Sequence, residues 1–259
     1  MSPKNKLLWL FSGTSDGNQI AKDLIAKNCF LKVFVATPYG KNVAVQTLPL
    51  EIIHTGRLTV DDIFEIGRID TPEKVIDATH PFAMEISKNL MEFCRIREVP
   101  YIRYERPEES IEGNNVYFVE NIRQAADKAK KIGRQILLTL GSKNIDPFLC
   151  KEFLERIYIR MLPDPQLIQD LLSKGVSPDR IIAIQGPFSI TLNKALMVDR
   201  SIDCLITKSS GKEGGIKDKV TAAQELDISV IVIKRPEMNY PVLFSDQNKM
   251  TNNILKDQG

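Results

Sequence analysis

Apolar residues along this chain follow two alternating periods. Short runs rich in Leu, Val, Ile and Phe are separated by longer stretches in which apolar positions return every three or four residues. That alternation marks β-α-β units and a parallel sheet buried on both faces. Residues 6–11, 31–37, 51–55, 74–78 and 101–104 predict strands, with helices near 15–26, 59–66 and 83–97. The last helix declares its face: Ala83, Ile86, Leu90, Phe93 and Arg97 recur at three- and four-residue steps, while Glu85, Lys88 and Glu92 fall on the wet side.

The pattern then breaks. Residues 106–115 (RPEESIEGNN) carry Pro, Gly and several charges without periodicity, the character of a connection between lobes. Beyond it the alternation restarts, with strands expected at 116–119, 135–140, 156–161, 180–184, 203–207 and 229–233. The expected fold is α/β: two Rossmann-like lobes with parallel sheets and a cleft between them. The boundary puts a dinucleotide-binding lobe at 1–107 and the second lobe at 108–259.

Composition narrows the function more than the fold. Lys and Arg total 35 against 33 Asp and Glu, a net charge of +2, which argues against a nucleic-acid-coating surface. Cys29, Cys94, Cys150 and Cys204 lie far apart with no C-x-x-C pair, so neither a zinc site nor a disulfide framework is indicated, and reduced, mostly buried thiols are expected. The apolar part of MSPKNKLLWLF is too short for a signal-peptide core, and no run approaches the ~18 apolar residues of a membrane span. The expected location is the cytoplasm, with no membrane partner. The sequence specifies no oligomeric state.

The candidate chemistry sits where strands end. The first strand runs into Ser12-Gly13-Thr14-Ser15-Asp16-Gly17 and then a helix, a turn able to hold a pyrophosphate on free N–H groups. With glycines only at 13 and 17 it is not G-x-G-x-x-G, and an ordinary turn capped by Thr14 or Ser15 is an equal reading. The second strand ends at Thr37-Pro38-Tyr39-Gly40-Lys41, where a dinucleotide fold often places an acid on the adenosine ribose. There is none, and Thr37, Tyr39 and Lys41 lean toward the 2′-phosphate of NADPH over NADH. The fourth strand ends at Asp77-Ala78-Thr79-His80, which offers an imidazole for ligand contact or proton exchange. Arg57, Arg103, Arg106, Lys208, Lys212, Lys219 and Arg235 recur at strand ends and following loops, and facing a cleft they suit a polycarboxylate. There is no H-E-x-x-H, no G-x-S-x-G, and no Tyr followed four residues later by Lys, so zinc proteolysis, the serine-hydrolase elbow and the short-chain dehydrogenase pair lack support.

In order along the chain, FSGTSDG, VATPYG, HTGRL, VIDATHPFA, PYIRYERP, LTLGS, QGPFS, ITKSSG with GG just beyond, and VIVIKRP resemble the precorrin-6A reductase family of corrin biosynthesis, including its cobalt-precorrin-6A branch. The resemblance implies a reductase in which NADPH or NADH gives hydride to a carbon–carbon double bond of an acid-rich tetrapyrrole. It implies that Ser12, Gly13, Thr14, Ser15, Asp16, Gly17, Thr37 and Thr79 hold the nucleotide, and that Arg57, Arg103, Arg106, Ser210 and Lys219 meet the substrate. His80 and Lys208 are then candidate proton donors, and any cobalt arrives within the substrate. Where family members usually carry glycine, glutamate and arginine in the first turn, this chain has Ser12, Asp16 and Asn18, and in the distal turn Ser209 replaces Asn or Asp. Two other readings remain open: a reductase of a smaller carboxylated metabolite, and an NADP(H)-sensing module without turnover.

Overall fold

The computed structural model describes residues 7–141, 145–210 and 214–256. Ser142 of LTLGS, Gly211 of ITKSSG and Lys212 lie outside the described residues. The chain forms two compact units, one reaching to Pro107 and resuming at Pro236, the other Glu108–Arg235.

Unit 1 opens with β1 (Leu7–Ser12), α1 (Ser15–Ile25), β2 (Phe30–Val35), α2 (Pro38–Ala44), β3 (Ile53–Thr55), α3 (Val60–Ile69), β4 (Lys74–Asp77), α4 (Met84–Arg97) and β5 (Tyr101–Tyr104). Unit 2 holds β6 (Val116–Val119), α5 (Ile122–Ile132), β7 (Ile136–Leu138), α6 (Lys151–Leu154), β8 (Ile157–Met161), α7 (Pro165–Ser173), β9 (Ile181–Ala183), α8 (Ile190–Asp199), β10 (Cys204–Lys208), α9 (Ile216–Gln224) and β11 (Ser229–Ile233). The chain then adds β12 (Leu243–Phe244) and α10 (Gln247–Lys256) to unit 1. Both sheets are parallel and six-stranded, ordered β12-β5-β4-β1-β2-β3 and β6-β11-β10-β7-β8-β9. The α/β expectation with two Rossmann-like lobes is met.

Continuous apolar runs make these sheets because both faces of each strand are covered. Leu8 and Leu10 join Ile20, Leu24, Met250 and Ile254 on one side of the first sheet, while Trp9 and Phe11 join Ile63, Leu90 and Phe93 on the other. The predicted face of α4 is turned slightly from its expected setting: Ser87, Leu90, Phe93 and Cys94 are buried and Arg97 is exposed.

Three differences from the sequence reading have clear causes. Residues 236–259 do not belong to the second lobe, because Leu243 and Phe244 pair with Arg103 and Tyr104 and extend the first sheet. The stretch after β2 is helical, since Thr37 caps it by accepting from Gly40 N–H at 3.0 Å and Pro38 begins it with a fixed φ. Of the four free cysteines only Cys94 and Cys204 are buried; Cys29 is half-buried and Cys150 exposed. Among the described residues no helix is long and apolar enough to cross a membrane, and no group of His, Cys, Asp or Glu is arranged to hold a metal.

Candidate functional site

In unit 1, neighbouring strands β1 and β4 send their connections to opposite faces of the sheet, α1 to one core and α4 to the other. Such a divergence opens a crevice at the carboxyl edge, the position where open α/β sheets receive ligands. The two loops are tied together: Thr14 Oγ1 donates to the Ala78 carbonyl at 3.1 Å and accepts from Gly17 N–H at 3.1 Å, so one hydroxyl caps α1 and fixes the β4 loop.

The two glycines of this turn differ in kind. A Cβ on Gly17 would lie 2.3 Å from Ser12 Oγ, so glycine there is demanded by the protein's own packing. A Cβ on Gly13 would meet nothing within 4 Å, so the space above it is open to a ligand. Ser12 is buried and its hydroxyl donates to Asn18 Oδ1 at 3.0 Å. Ser15 begins the helix and Asp16 occupies its first turn, where a carboxylate would repel a bound phosphate. Arg106 removes that objection by pairing with Asp16, which ties this expected substrate-binding cation to the first turn. A pyrophosphate therefore fits the turn: α1 presents its first N–H groups, Gly13 leaves room, and the nearby acid is neutralised.

The β4 loop is built on a buried acid. Asp77 is fully buried and takes five hydrogen bonds: Oδ1 accepts from the Thr79 N–H and hydroxyl at 3.0 and 2.7 Å and from Arg103 Nη1 at 2.7 Å, Oδ2 from the Ser87 and Tyr101 hydroxyls at 2.6 and 2.7 Å. Burial, then the Asp77 charge, pushes the Tyr101 phenol well above its usual range. Two expectations change here. Arg103 is 0% exposed, ion-paired to Asp77, 3.8 Å from Glu105 and stacked 5.2 Å from the Tyr240 centroid, so it braces the sheet and does not grip substrate. Thr79 spends its hydroxyl on Asp77 and Arg103, so that side chain serves the β4 loop in this structure. Thr37 likewise uses its hydroxyl as a helix cap. His80, next in line, is half-buried; its Nδ1 accepts from Phe82 N–H at 3.2 Å, which leaves the proton of the neutral ring on Nε2. Arg57 is exposed beyond β3, at the border of the sheet and two strands from β1.

Unit 2 repeats the device. Its adjacent central strands are β7 and β10, and Lys208 at the end of β10 donates to the Leu140 carbonyl beyond β7 at 3.2 Å. Burial lowers the Lys208 pKa. Ser209 donates to Glu108 at 3.0 Å, and Ser210 stands so close to Gly214 that a Cβ there would lie 1.9 Å from its hydroxyl. Lys219 does not project from a loop as expected; it lies on the inner face of α9, with Arg160 on β8 as its charged neighbour. Arg160 and its partner Asn193 escaped the sequence reading. The available signal was an arginine inside the apolar run IYIRM, where a charge is out of place unless it has a task.

A family model described as Precorrin-6x reductase CbiJ/CobK matches residues 7–254. A cobalt-precorrin-6A reductase of Methanococcus maripaludis is 37% identical over 242 residues, covering 92% of this chain and 94% of that protein. One from Methanocaldococcus jannaschii is 34% identical over 244 residues, covering 94% and 96%. A solved structure of CobK precorrin-6A reductase matches with a TM-score of 0.76 at 22% identity, over 98% of this chain and 97% of that one, which shows a shared fold. The chain belongs to the CbiJ/CobK precorrin-6x reductase family.

Proposed function

We propose that this chain reduces a carbon–carbon double bond of a precorrin-6A-type macrocycle with NADPH, the nucleotide resting on the turn from Ser12 to Gly17. The observation that carries the reading is the open flank of Gly13 at the β1–β4 divergence, beside a capped helix start. Ser12, Gly13, Thr14, Ser15, Asp16 and Gly17 form the cradle, with Asp16 neutralised by Arg106. No acid follows β2, and Lys41 stands in α2, which favours the 2′-phosphate of NADPH over NADH. The nicotinamide, when bound, supplies the hydride. The protein's share is to orient the reacting carbon, exclude water and provide a proton. His80 Nε2, in the same unit as the cradle, is the donor for that proton. The cobalt form of the macrocycle is the favoured substrate, because relatives named cobalt-precorrin-6A reductase reach 37% identity and those named precorrin-6A reductase 32%.

The deciding experiment is a coupled assay in which enzymatically made precorrin-6A and its cobalt form are each supplied with NADPH and then NADH. Macrocycle-dependent oxidation of NADPH, fastest with the cobalt form, is expected. Gly13→Val should fold and melt like the parent, since its Cβ meets open space, yet lose NADPH binding by calorimetry. Unchanged NADPH affinity in that variant refutes the cradle.

A further inference from the structure

Unit 2 buries two cations, Arg160 at 7% exposure and Lys219 at 6%, with no carboxylate paired to either among the described residues. Neutral groups hold Arg160. Its Nη1 donates to Asn193 Oδ1 at 2.7 Å, and its guanidinium lies 4.5 Å from the centroid of the Phe188 ring. Asn193 is fully buried and fixed in turn, its Nδ2 donating to the carbonyls of Phe188 and Ser189 at 3.1 and 2.9 Å. Strand register accounts for the missing acid: Arg160 stands beside Ile182 on β9, and the preceding Ile159 stands beside Leu138 on β7.

Lys219 makes no hydrogen bond or ion pair with any described residue, and the charge that acts on it is that of Arg160. It belongs to the start of α9, whose cap position is Gly215 with left-handed backbone (φ 58°), and among the described residues no side chain caps the first N–H groups of the helix. Lys219 is the fourth residue of this helix and is buried within it. A Cβ on Gly215 would stand 3.8 Å from Pro187, so the start of α9 borders the 187–189 segment that Asn193 and Arg160 engage. Burial, then the Arg160 charge, lowers the Lys219 pKa to about 7, and burial lowers that of Arg160 to about 10. The only charges gathered here among the described residues are positive, and a buried charge left without a counter-charge is destabilising.

We propose that Arg160 and Lys219, with the first turn of α9, form an oxyanion subsite within unit 2 that takes a carboxylate of the macrocycle, and that Asn193 positions Arg160 for it. The identity of the ligand rests on the reductase reading; the existence of the subsite does not. A nucleotide phosphate presents the same chemistry, and the test separates the two sources.

Calorimetry on the full chain measures precorrin-6A and NADPH binding separately, for the parent, Lys219→Met and Lys219→Glu. Methionine keeps the length without the charge, and glutamate supplies Arg160 with an internal partner, so at least one variant is expected to fold. The expected result is a loss of about tenfold or more in precorrin-6A affinity, as for a hydrogen bond to a charged group, with NADPH affinity within about twofold of the parent. Binding to the parent near pH 8 should also take up a proton, seen as a dependence of the heat on buffer ionisation, and Lys219→Met should abolish that uptake. Loss of NADPH affinity alone would keep the subsite and assign it to phosphate. Parent-like binding of both ligands by both variants, or no precorrin-6A or NADPH binding by the parent, overturns the proposal. Tight, Lys219-dependent precorrin-6A binding without NADPH oxidation would leave the subsite standing and refute the reductase reading.

Discussion

The tripeptide Tyr-Ile-Arg occurs on two strands, as Tyr101-Ile102-Arg103 on β5 and Tyr158-Ile159-Arg160 on β8, and in both the arginine is buried. Their surroundings differ. Arg103 stands in register with Asp77 on the neighbouring strand and pairs with it at 2.7 Å, while Arg160 stands beside Ile182 and finds an asparagine and a phenyl ring. Identical local sequence thus becomes an ion pair with a carboxylate in one unit and a cation without one, among the described residues, in the other. The residue opposite decides: a charge neutralised from within braces a fold, and a charge left positive waits for something from outside.

The largest effect should come from breaking the closed pair. Asp77→Ala leaves Arg103 buried without its acid and is expected to cost about 3–5 kcal/mol, measurable by urea unfolding. Arg160→Met, the matching deletion in unit 2, should be neutral or stabilising. If the two variants lose equal stability, the comparison fails.

A smaller effect follows from pH. The folded-state pKa of Lys219, about 7, lies below the ordinary 10.5 of the unfolded chain, so between those values the unfolded state binds more protons and stability of the ligand-free protein rises with pH. Below 7 both states are protonated and the full penalty remains. Buried Cys94 and Cys204, pushed up to about 12, remove stability only above their ordinary 9, which leaves pH 7 to 9 as the window to read. A rise approaching ~1.4 kcal/mol per unit is the upper bound there, and Lys219→Met should flatten it. A slope that survives the substitution belongs to another group.

The smallest effect concerns the positioning residue. Asn193→Ala frees Arg160 without removing it, and should raise KM for the macrocycle by about three- to tenfold, the size of one neutral hydrogen bond. KM for NADPH and kcat should stay near the parent values; a general loss of kcat would mean that Asn193 serves only to hold α8.

Much of this was legible in the chain. Apolar runs located every strand of both sheets but β12, because parallel strands covered on both faces leave little room for polar residues. The switch-point turn was legible because its small residues follow directly on β1. Burial partners were not. Arg103, Arg160 and Lys219 look alike as letters, and what separates them is strand order and register, which bring Asp77 to Arg103 and, among the described residues, nothing acidic to Arg160. The local roles of Thr37 and Thr79 were not legible for a related reason: a hydroxyl at a strand end can serve a ligand or the protein itself, and here Thr37 caps a helix while Thr79 bonds to Asp77. β12 was invisible because a two-residue strand carries no period, and only its partner β5 defines it.

That short strand bears on how the molecule is made. A ribosome finishes residues 108–235 as one uninterrupted segment, so unit 2 has all its strands before β12 and α10 are translated. Unit 1, begun first, must wait: until the last segment emerges its core lacks Met250 and Ile254, the edge of β5 is bare, and Arg103 has no Tyr240 above it. The nascent chain therefore completes its second unit before its first, and unit 1 is assembled around a partner it must reach back across more than a hundred residues to recover.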